Sequence, residues 1–400
     1  MKYLVLLMDG MADLPLDELG GKTPMETAHK PNIDNICQKS EIGLMYNVPE
    51  GFKPGSDVAN LSVMGFNPAD CYTGRSPLEA ASIGIDLLDT DITLRCNLVT
   101  LSDEPLYEDK TMIDYSADDI RTDEADTLIK YINEKLGNEK FSFYTGTNYR
   151  HCLVVKNGSM DLGQMMPPHD ISDMVIGPHL SGAENAQPLI ELMKKSYELL
   201  KEHPVNIDRI KRGLKPANSI WLWGEGTKPK IENFYNKYGK RGAVISAVDL
   251  LKGIAKCAGM DCGLVENATG YIDSNFAGKE KKAEELFLDH DLVYIHMEAP
   301  DECGHRGELE NKIKAIELID ALVAGPIFEF LKDTPHRVLI CPDHPTPIAL
   351  KTHTMDPVPY LFYDSEHPVS GNSVFCEKSA AESGNVLKQG YKMMSRLLSK

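Results

Sequence analysis

Three strongly apolar segments of this chain each end at acidic or histidine side chains. These are Tyr3–Met8 before Asp9, Leu292–Met297 before Asp301 and His305, and Arg337–Cys341 before Asp343 and His344. Short apolar runs rich in Val, Ile and Tyr predict buried strands of a parallel sheet. Since ligand sites of open α/β sheets lie beyond the carboxyl ends of the strands, we expect these side chains to meet at one edge.

His353 follows the third segment closely and extends this set of metal-ligand types. Taken singly, each of these residues is better explained as a helix cap or a surface group than as a metal ligand. Taken together at strand ends, they predict a metalloenzyme. Mixed Asp and His ligation suits Mn²⁺, Zn²⁺ or Fe²⁺ better than Ca²⁺.

The overall charge narrows the range of partners. The 400 residues carry 42 Lys and Arg against 60 Asp and Glu, a net charge of −18. This balance argues against wholesale binding to nucleic acid or to anionic lipid. A small anionic substrate remains compatible, because a few local arginines and bound cations override the global field. No apolar run approaches the roughly 18 residues of a membrane helix, so no membrane partner is expected.

Cysteine usage and the amino-terminal run predict a cytoplasmic location. The nine cysteines are scattered without CxxC spacing, which favours neither a zinc ribbon nor a disulfide framework. The first apolar run ends at Asp9 without a small-residue cleavage site, so it predicts a strand and not a signal peptide. The pattern favours no particular oligomeric state.

The middle of the chain has a different pattern of predicted secondary structure from its two ends. Residues 92–101 and 106–113 alternate like antiparallel strands, 123–136 predict an amphipathic helix, and 141–156 predict a hairpin. The Pro- and Gly-containing stretch 213–218 is a candidate linker. We therefore predict a discontinuous α/β domain over 1–88 and 216–400, which carries an inserted α+β domain over 89–215.

Ser56 stands where a helix is expected to begin, within Pro54–Asn60. One interpretation is an ordinary helix cap, the commonest role of Ser before an apolar run. The other is a nucleophile, because a helix start offers N–H donors to a phosphoryl group and a coordinated metal lowers the pKa of a hydroxyl. The residues alone leave both open.

Three arginines, Arg75, Arg95 and Arg150, occur in apolar or turn contexts, where a guanidinium needs an anion or a salt-bridge partner. With 60 acidic side chains in the chain, an internal salt bridge is the competing explanation for each. His169 follows two prolines, and either faces a cleft or closes a turn.

A set of ordered motifs runs over almost the whole chain. They read LLMDGMAD, GKTPMETAHKPNID, PGSDVANLSVMGFNP, YTGRSPLEAASIGIDL, RCNLVT, GAVISAVDLLKGIAKCAGM, ATGYIDSNFAGK, HMEAPDECGHRGE, CPDHPTP and KTHT. The chain thereby resembles the archaeal-type, cofactor-independent (2,3-bisphosphoglycerate-independent) phosphoglycerate mutases of the alkaline phosphatase superfamily. The resemblance implies an α/β fold, with an alkaline-phosphatase-like sheet flanked by helices and an inserted smaller α+β domain that closes over the substrate.

The resemblance also implies residue roles. It places one divalent metal on Asp9, Ser56, Asp343 and His344, and a second on Asp301, His305 and His353, with Mn²⁺ favoured over Zn²⁺ or Mg²⁺. Ser56 becomes the residue that is transiently phosphorylated while 3-phosphoglycerate and 2-phosphoglycerate interconvert. The expected substrate contacts, to a small phosphorylated molecule, are Arg95, Arg150 and Lys279, with His169 as a cleft-facing candidate.

Two departures keep alternatives open. Where the family carries an Arg-rich segment, this chain has residues 108–120 without Arg, and an Arg-containing strand end is replaced by 221–226. A doubly anionic substrate needs more cationic contacts than this, so a homoserine kinase-like phosphotransferase of the same family is the main alternative. A plain metal-dependent phosphatase and a non-catalytic relative rank below it.

Overall fold

The strands form two separate sheets in the computed structural model, which describes residues 1–399. The strands are β1 (Lys2–Met8), β2 (Glu41–Met45), β3 (Ile92–Leu101), β4 (Met112–Asp114), β5 (Phe141–Thr147), β6 (Arg150–Val155), β7 (Ser219–Thr227), β8 (Gly242–Ile245), β9 (Asp261–Gly263), β10 (Leu292–Met297), β11 (His336–Cys341), β12 (Val358–Asp364) and β13 (Val386–Leu387). Contacts divide the chain into unit 1, formed by Met1–Tyr72 and the chain from Lys230 onward, and unit 2, formed by Thr73–Pro229.

The helices connect and cover these strands. They are α1 (Pro24–Thr27), α2 (Pro31–Cys37), α3 (Ser56–Val63), α4 (Pro68–Cys71), α5 (Ser76–Ser82), α6 (Thr122–Leu136), α7 (Gln187–Leu200), α8 (Pro204–Lys211), α9 (Phe234–Tyr238), α10 (Asp249–Cys257), α11 (Phe276–Phe287), α12 (Ala299–Arg306), α13 (Leu309–Ile319), α14 (Gly325–Leu331), α15 (Glu377–Glu382) and α16 (Lys392–Leu398). Within residues 1–399, no helix combines the length and apolar character needed to cross a bilayer.

The sheet of unit 1 has eight strands in the order β13-β2-β12-β11-β1-β10-β8-β9. The three apolar runs of the sequence are its central neighbours, since β1 pairs in parallel with both β10 and β11. Their carboxyl ends therefore share one edge, as predicted. Strand β12 runs antiparallel to both of its neighbours, β11 and β2, and makes the sheet mixed.

Burial on both faces explains why β1, β10 and β11 are mostly apolar. On one face, Leu4, Leu6 and Met8 pack in a core with residues of α11 and α13. On the other face, the buried Tyr294 hydroxyl donates a hydrogen bond to Asn60 of α3 at 2.7 Å. The predicted class, an α/β sheet flanked by helices together with a smaller α+β unit, is confirmed.

Unit 2 is built on an antiparallel sheet in which β3 pairs with β4, β6 and β7. Its bounds differ from the predicted 89–215. Residues 219–227 belong to it because β7 pairs with β3 from Ile92↔Thr227 to Val99↔Ser219. Stretch 213–218 also lies inside this unit, and the predicted strand over 106–113 is a short 3-10 segment, Tyr107–Asp109, followed by β4.

A buried ion pair anchors the loop that follows β1. The side chains of Lys312 on α13 and Asp13 are both 0% exposed, and their charged atoms lie 2.7 Å apart. Lys312 also donates to the carbonyl oxygen of Thr346 at 2.8 Å, while Asp13 accepts from the backbone N–H of Ile348. The pair therefore joins the loop after β1 to the loop after β11.

We expect Lys312→Met to lower the free energy of unfolding of unit 1 by about 3–5 kcal/mol, because it leaves the Asp13 carboxylate buried without a counter-charge. The matched control is Lys332→Met in the same unit, which removes a surface pair with Glu329 whose side chains are 54% and 71% exposed. That control should change stability by less than about 0.5 kcal/mol. Urea unfolding of the metal-free proteins measures both, and equal losses would contradict the expectation.

Candidate active site

The predicted metal ligands of unit 1 gather at the carboxyl edge of its central strands. The parallel register places Leu7 opposite His296 in β10 and opposite Cys341 in β11. Asp9 follows β1 directly, and Asp343 and His344 follow β11. Helix α12 starts two residues after β10 and, by its period, carries Asp301 and His305 on one face.

Two groups of donor atoms could each hold a cation, among the residues described. In one group, Asp9, Asp301 and His344 offer atoms within 4.8 Å of one another. In the other, Asp301, His305 and His353 do the same. Asp301 belongs to both groups, whereas the sequence analysis had assigned it to the second metal alone.

The second group is the more exposed one. Asp301 Oδ2 lies 3.3 Å from His305 Nε2, and Asp301 Oδ1 lies 3.5 Å from His353 Nε2. The two histidine Nε2 atoms face each other at 2.9 Å. His305 Nδ1 is hydrogen-bonded to the backbone oxygen of Lys351 at 3.0 Å, so its Nε2 atom is the one turned toward the other ligands.

Asp343 stands beside the first group and outside both donor sets. Its Oδ1 atom accepts from the backbone N–H groups of Gly10 and His344, and its Oδ2 atom accepts from the Asn60 amide at 2.9 Å. Oδ2 also lies 3.3 Å from His344 Nε2. Asp343 is therefore next to the predicted ligands, but its oxygens already accept three hydrogen bonds.

Ser56 is the first residue of α3, and its Oγ atom lies 3.2 Å from His344 Nε2. The Thr346 hydroxyl donates its proton to Asp301 and lies 3.3 Å from His344 Nδ1. Because that hydroxyl proton is committed to the carboxylate, Thr346 can only accept from His344, which places the imidazole proton on Nδ1. The lone pair of Nε2 then faces Ser56.

The Asp9 carboxyl is electrostatically crowded. Burial and the neighbouring carboxylates of Asp343 and Asp301 raise its pKa well above the usual value. Its Oδ1 atom is buried and has no hydrogen-bond partner, although it lies 3.8 Å from His344 Nε2. A buried carboxylate oxygen left unpaired is costly in a protein interior.

The Asp301 carboxyl, in contrast, is stabilised in its charged form. Although burial opposes it, hydrogen bonds with His305 and His353 hold the pKa of Asp301 well below its usual range. The same hydrogen bond raises the pKa of His305 to about 9. Burial lowers the pKa of His344, which keeps that imidazole neutral near neutral pH.

These residues fit a pair of divalent cations. The unpaired Asp9 oxygen and the facing nitrogens of His305 and His353 are donors that a cation would satisfy together. A mixture of carboxylate and imidazole donors is the chemistry that first-row divalent metals accept. The chain also packs closely here, since a Cβ on Gly10 would lie 2.5 Å from Asp301 Oδ1, and Gly10 has φ of 59°.

Four residues around this site were missed by the sequence analysis. Asn60, Tyr294, His296 and Thr346 are buried and hydrogen-bond to the site or to one another. Asn60 was recognisable, because it lies one helical turn after Ser56 on the same face. His296 was read only as part of an apolar strand.

Lys279 occupies a different place from the predicted substrate contact. Its side chain is 0% exposed and forms an ion pair with Glu298. Its ammonium also donates to the backbone oxygen of His296 at 2.9 Å. Both contacts are inside unit 1, so the ammonium is committed to the protein interior.

In unit 2, the candidates Arg95, Arg150 and His169 lie around one aromatic cluster. The Arg95 guanidinium lies 4.3 Å from the centre of the Trp223 ring, and the His169 ring lies 5.3 Å from it. Arg150 stacks on Tyr149 and pairs in register with Asn97, two residues from Arg95 on the same face of β3.

Arg95 also has an internal partner. Its Nε atom lies 2.9 Å from Glu79, whose other oxygen lies 2.8 Å from Arg75 Nε. The two arginines hold the pKa of Glu79 below its usual range despite its burial. The salt bridge considered for Arg75 and Arg95 is thus present, and one carboxylate faces two guanidinium groups.

Comparisons with known proteins identify a matching family model and full-length relatives. Residues 37–206 match the family model of the 2,3-bisphosphoglycerate-independent phosphoglycerate mutases. A protein of Geobacter sulfurreducens named as a probable 2,3-bisphosphoglycerate-independent phosphoglycerate mutase is 50% identical over 100% of both chains. The mutase of that name from Methanosarcina barkeri is 46% identical over 96% of both chains.

Solved structures show the same fold. A Pyrococcus horikoshii protein superposes with a TM-score of 0.82 at 28% identity, covering 99% of this chain and 96% of its own. The cofactor-independent phosphoglycerate mutase from Thermoplasma acidophilum has a TM-score of 0.69 at 25% identity, covering 100% and 99%. With half of its residues identical to a full-length relative, this chain belongs to the family of 2,3-bisphosphoglycerate-independent phosphoglycerate mutases.

Proposed function

We propose that this protein is a metal-dependent phosphoglycerate mutase that interconverts 3-phosphoglycerate and 2-phosphoglycerate through a phosphoserine at Ser56. The observation that supports this most directly is the position of the Ser56 hydroxyl at the start of α3, 3.2 Å from His344 Nε2 and beside two carboxylate–histidine groups. The names of the full-length relatives support the substrate.

The first half-reaction transfers the phosphoryl group to Ser56. The Ser56 Oγ atom attacks phosphorus in line, the bond from phosphorus to O3 of 3-phosphoglycerate breaks, and glycerate leaves. The Ser56 hydroxyl gives up its proton as the bond to phosphorus forms, and the departing O3 atom of glycerate takes up a proton, so the half-reaction is balanced. The N-terminus of α3 at Ser56 favours the negative charge of the incoming phosphoryl group.

The second half-reaction reverses the first at a different hydroxyl. Glycerate turns within the site, its O2 atom attacks the phosphoserine, and the Ser56 oxygen leaves and regains a proton. Water has to be kept away from the phosphoserine during this interval, because hydrolysis would convert the mutase into a phosphatase. Retention of glycerate is therefore as important as the transfer step.

The two cations would be held by Asp9, Asp301, His344, His305 and His353, with Ser56 and Asp343 beside them. Mn²⁺ suits this set of donor atoms best, and Zn²⁺ and Mg²⁺ are the alternatives. When bound, divalent cations lower the pKa of a nucleophilic hydroxyl and offset the charge of the phosphoryl oxygens. The residues themselves supply the geometry, since Asp301 links both donor groups and Asn60 ties Asp343 to the backbone of Ser56.

Substrate binding is assigned to Arg95, Arg150 and His169 of unit 2. Arg95 and Arg75 share one carboxylate, so the cluster with Arg150 keeps an excess of positive charge that suits a carboxylate or phosphate.

The nine cysteines are free thiols, which supports a reducing, cytoplasmic setting for this activity.

The decisive assay incubates the Mn²⁺-loaded protein with 3-phosphoglycerate and follows 2-phosphoglycerate by phosphorus NMR. We expect equilibration without net phosphate release. A parallel incubation with ATP and homoserine tests the kinase alternative, and product only in that arm would overturn the mutase proposal. Steady release of phosphate in the first arm would indicate a phosphatase instead.

We expect Arg150→Met to raise KM for 3-phosphoglycerate by roughly 10–100-fold with a smaller change in kcat, because a charged hydrogen bond to the bound anion contributes about 1.5–3 kcal/mol. Steady-state kinetics measures both constants. The control is Arg121→Met, which removes an exposed arginine of the same unit that pairs with Asp123. An unchanged KM in Arg150→Met would remove Arg150 from the substrate site.

A further inference from the structure

The two carboxylate oxygens of Asp9 have different surroundings. Oδ2 is hydrogen-bonded to His296 Nε2 at 2.9 Å, whereas Oδ1 is buried without a hydrogen-bond partner on the side of His344. His296 lies on β10 and its side chain is 0% exposed. The hydrogen bond between His296 and Asp9 thus determines which oxygen of Asp9 remains available at the cation site.

The opposite edge of the His296 ring is also held. Its Nδ1 atom lies 3.0 Å from the Ser246 hydroxyl and 3.1 Å from Glu298 Oε1. Ser246 follows β8, and its hydroxyl also hydrogen-bonds to Glu298. Because both ring nitrogens have partners, the imidazole cannot rotate without breaking buried hydrogen bonds.

Glu298 is neutralised from the far side. It forms the buried ion pair with Lys279 and accepts the backbone N–H of Ala247 at 2.7 Å. Glu298 is 3% exposed and Lys279 is 0% exposed. A carboxylate buried this deeply needs a counter-charge, and Lys279 supplies it from α11.

We propose that Lys279, Glu298, Ser246 and His296 form a positioning relay that presents the Oδ1 atom of Asp9 to the cation shared with His344 and Asp301. All four side chains are buried inside unit 1. Partners of this kind orient metal ligands in proteins, and their loss weakens metal affinity by roughly 10–100-fold. This inference rests on the metal site of the proposed function, and it gives the buried Lys279 a role in place of substrate contact.

The test measures Mn²⁺ affinity and not turnover. Free Mn²⁺ is followed by electron paramagnetic resonance while the purified, metal-free protein is titrated. We expect His296→Asn to weaken one of two bound ions by roughly 10–100-fold, while the ion held by Asp301, His305 and His353 keeps its affinity. His296→Gln places an amide nitrogen near the former Nε2 position and should recover part of the loss.

A matched control is available in His290→Asn. His290 is also buried, has a carboxylate partner in Asp261 at 2.8 Å, and holds the backbone oxygen of Leu286 with its other nitrogen. It precedes β10 and so lies at the opposite end of the strand from Asp301. This variant should lose thermal stability without a change in Mn²⁺ affinity.

Ser246→Ala serves if His296→Asn does not fold, because it removes only one contact to the ring. A selective loss of one ion in either variant supports the relay, even if the protein proves inactive toward phosphoglycerate. Unchanged affinity in both variants, or an equal loss for both ions that matches the loss of thermal stability, overturns it. In that case a wild-type protein that interconverts phosphoglycerates would leave the proposed function intact.

Discussion

Replacing Ser56 by Ala is expected to abolish phosphoglycerate interconversion, with a loss of at least ~10³-fold in kcat, while fold and metal content stay nearly unchanged. The reason is specific to this hydroxyl. It lies at the start of α3, 3.2 Å from His344 Nε2, and it is the candidate oxygen that carries the phosphoryl group between the two half-reactions. Coupled assays measure turnover, and metal analysis measures the bound ions.

The same helix provides a control. Ser62 lies on α3, is buried, and its Oγ atom has no hydrogen-bond partner. Ser62→Ala should therefore be nearly neutral for both stability and turnover. Acid-quenched mass spectrometry adds a direct readout, because a phosphorylated α3 peptide should appear in the wild type and in Ser62→Ala but not in Ser56→Ala. Full activity of Ser56→Ala would remove Ser56 from the mechanism.

The central strands could be predicted because each is buried on both faces and stops abruptly at charged side chains. Tyr3–Met8, Leu292–Met297 and Arg337–Cys341 carry that pattern, and the structure places them side by side. The order of the outer strands was not predictable in this way. Strand β12 lies antiparallel between β2 and β11, and this arrangement is set by pairing between distant segments, which leaves no local mark on their residues.

The bounds of unit 2 depend on such distant pairing as well. The sequence of β7, Ser219–Thr227, predicts a short buried strand. Nothing in these residues indicates whether the strand joins the sheet of unit 1 or that of unit 2. Its partner β3 lies more than one hundred residues earlier in the chain, and the ladder between them settles the matter. Local patterns identify strands better than they identify the partners of strands.

In the candidate active site too, some features were predictable from the sequence and others were not. The proximity of Asp9, Asp301 and His344 was predictable because all three follow strands whose carboxyl ends share one edge of the sheet. The role of Lys279 was not, because a lysine that binds a substrate anion and a lysine that neutralises a buried glutamate look alike in sequence. Only the geometry, with the ammonium against Glu298, separates these roles.

Replacing Asp301 by Asn is expected to lower the affinity for both cations by more than ~10²-fold and to abolish turnover with them. Asp301 is the residue common to the two donor groups, with oxygens 3.3 Å and 3.5 Å from the Nε2 atoms of His305 and His353. An amide offers one neutral oxygen where two charged ones are needed, and such a loss exceeds the roughly 10–100-fold effect of removing a supporting residue. Titration with Mn²⁺ measures the effect.

Stability has to be separated from ligation in this variant, because Asn in place of Asp301 also removes a hydrogen-bond acceptor from Thr346. Asp320→Asn is the matched control, since Asp320 is also buried and accepts hydrogen bonds from the backbone N–H groups of Asn32 and Ile33, outside both donor groups. Both variants should unfold more readily, but only Asp301→Asn should lose Mn²⁺. If Asp301→Asn retained one ion at wild-type affinity, the two donor groups would not share this carboxylate, and the cations would have to be held as separate sites.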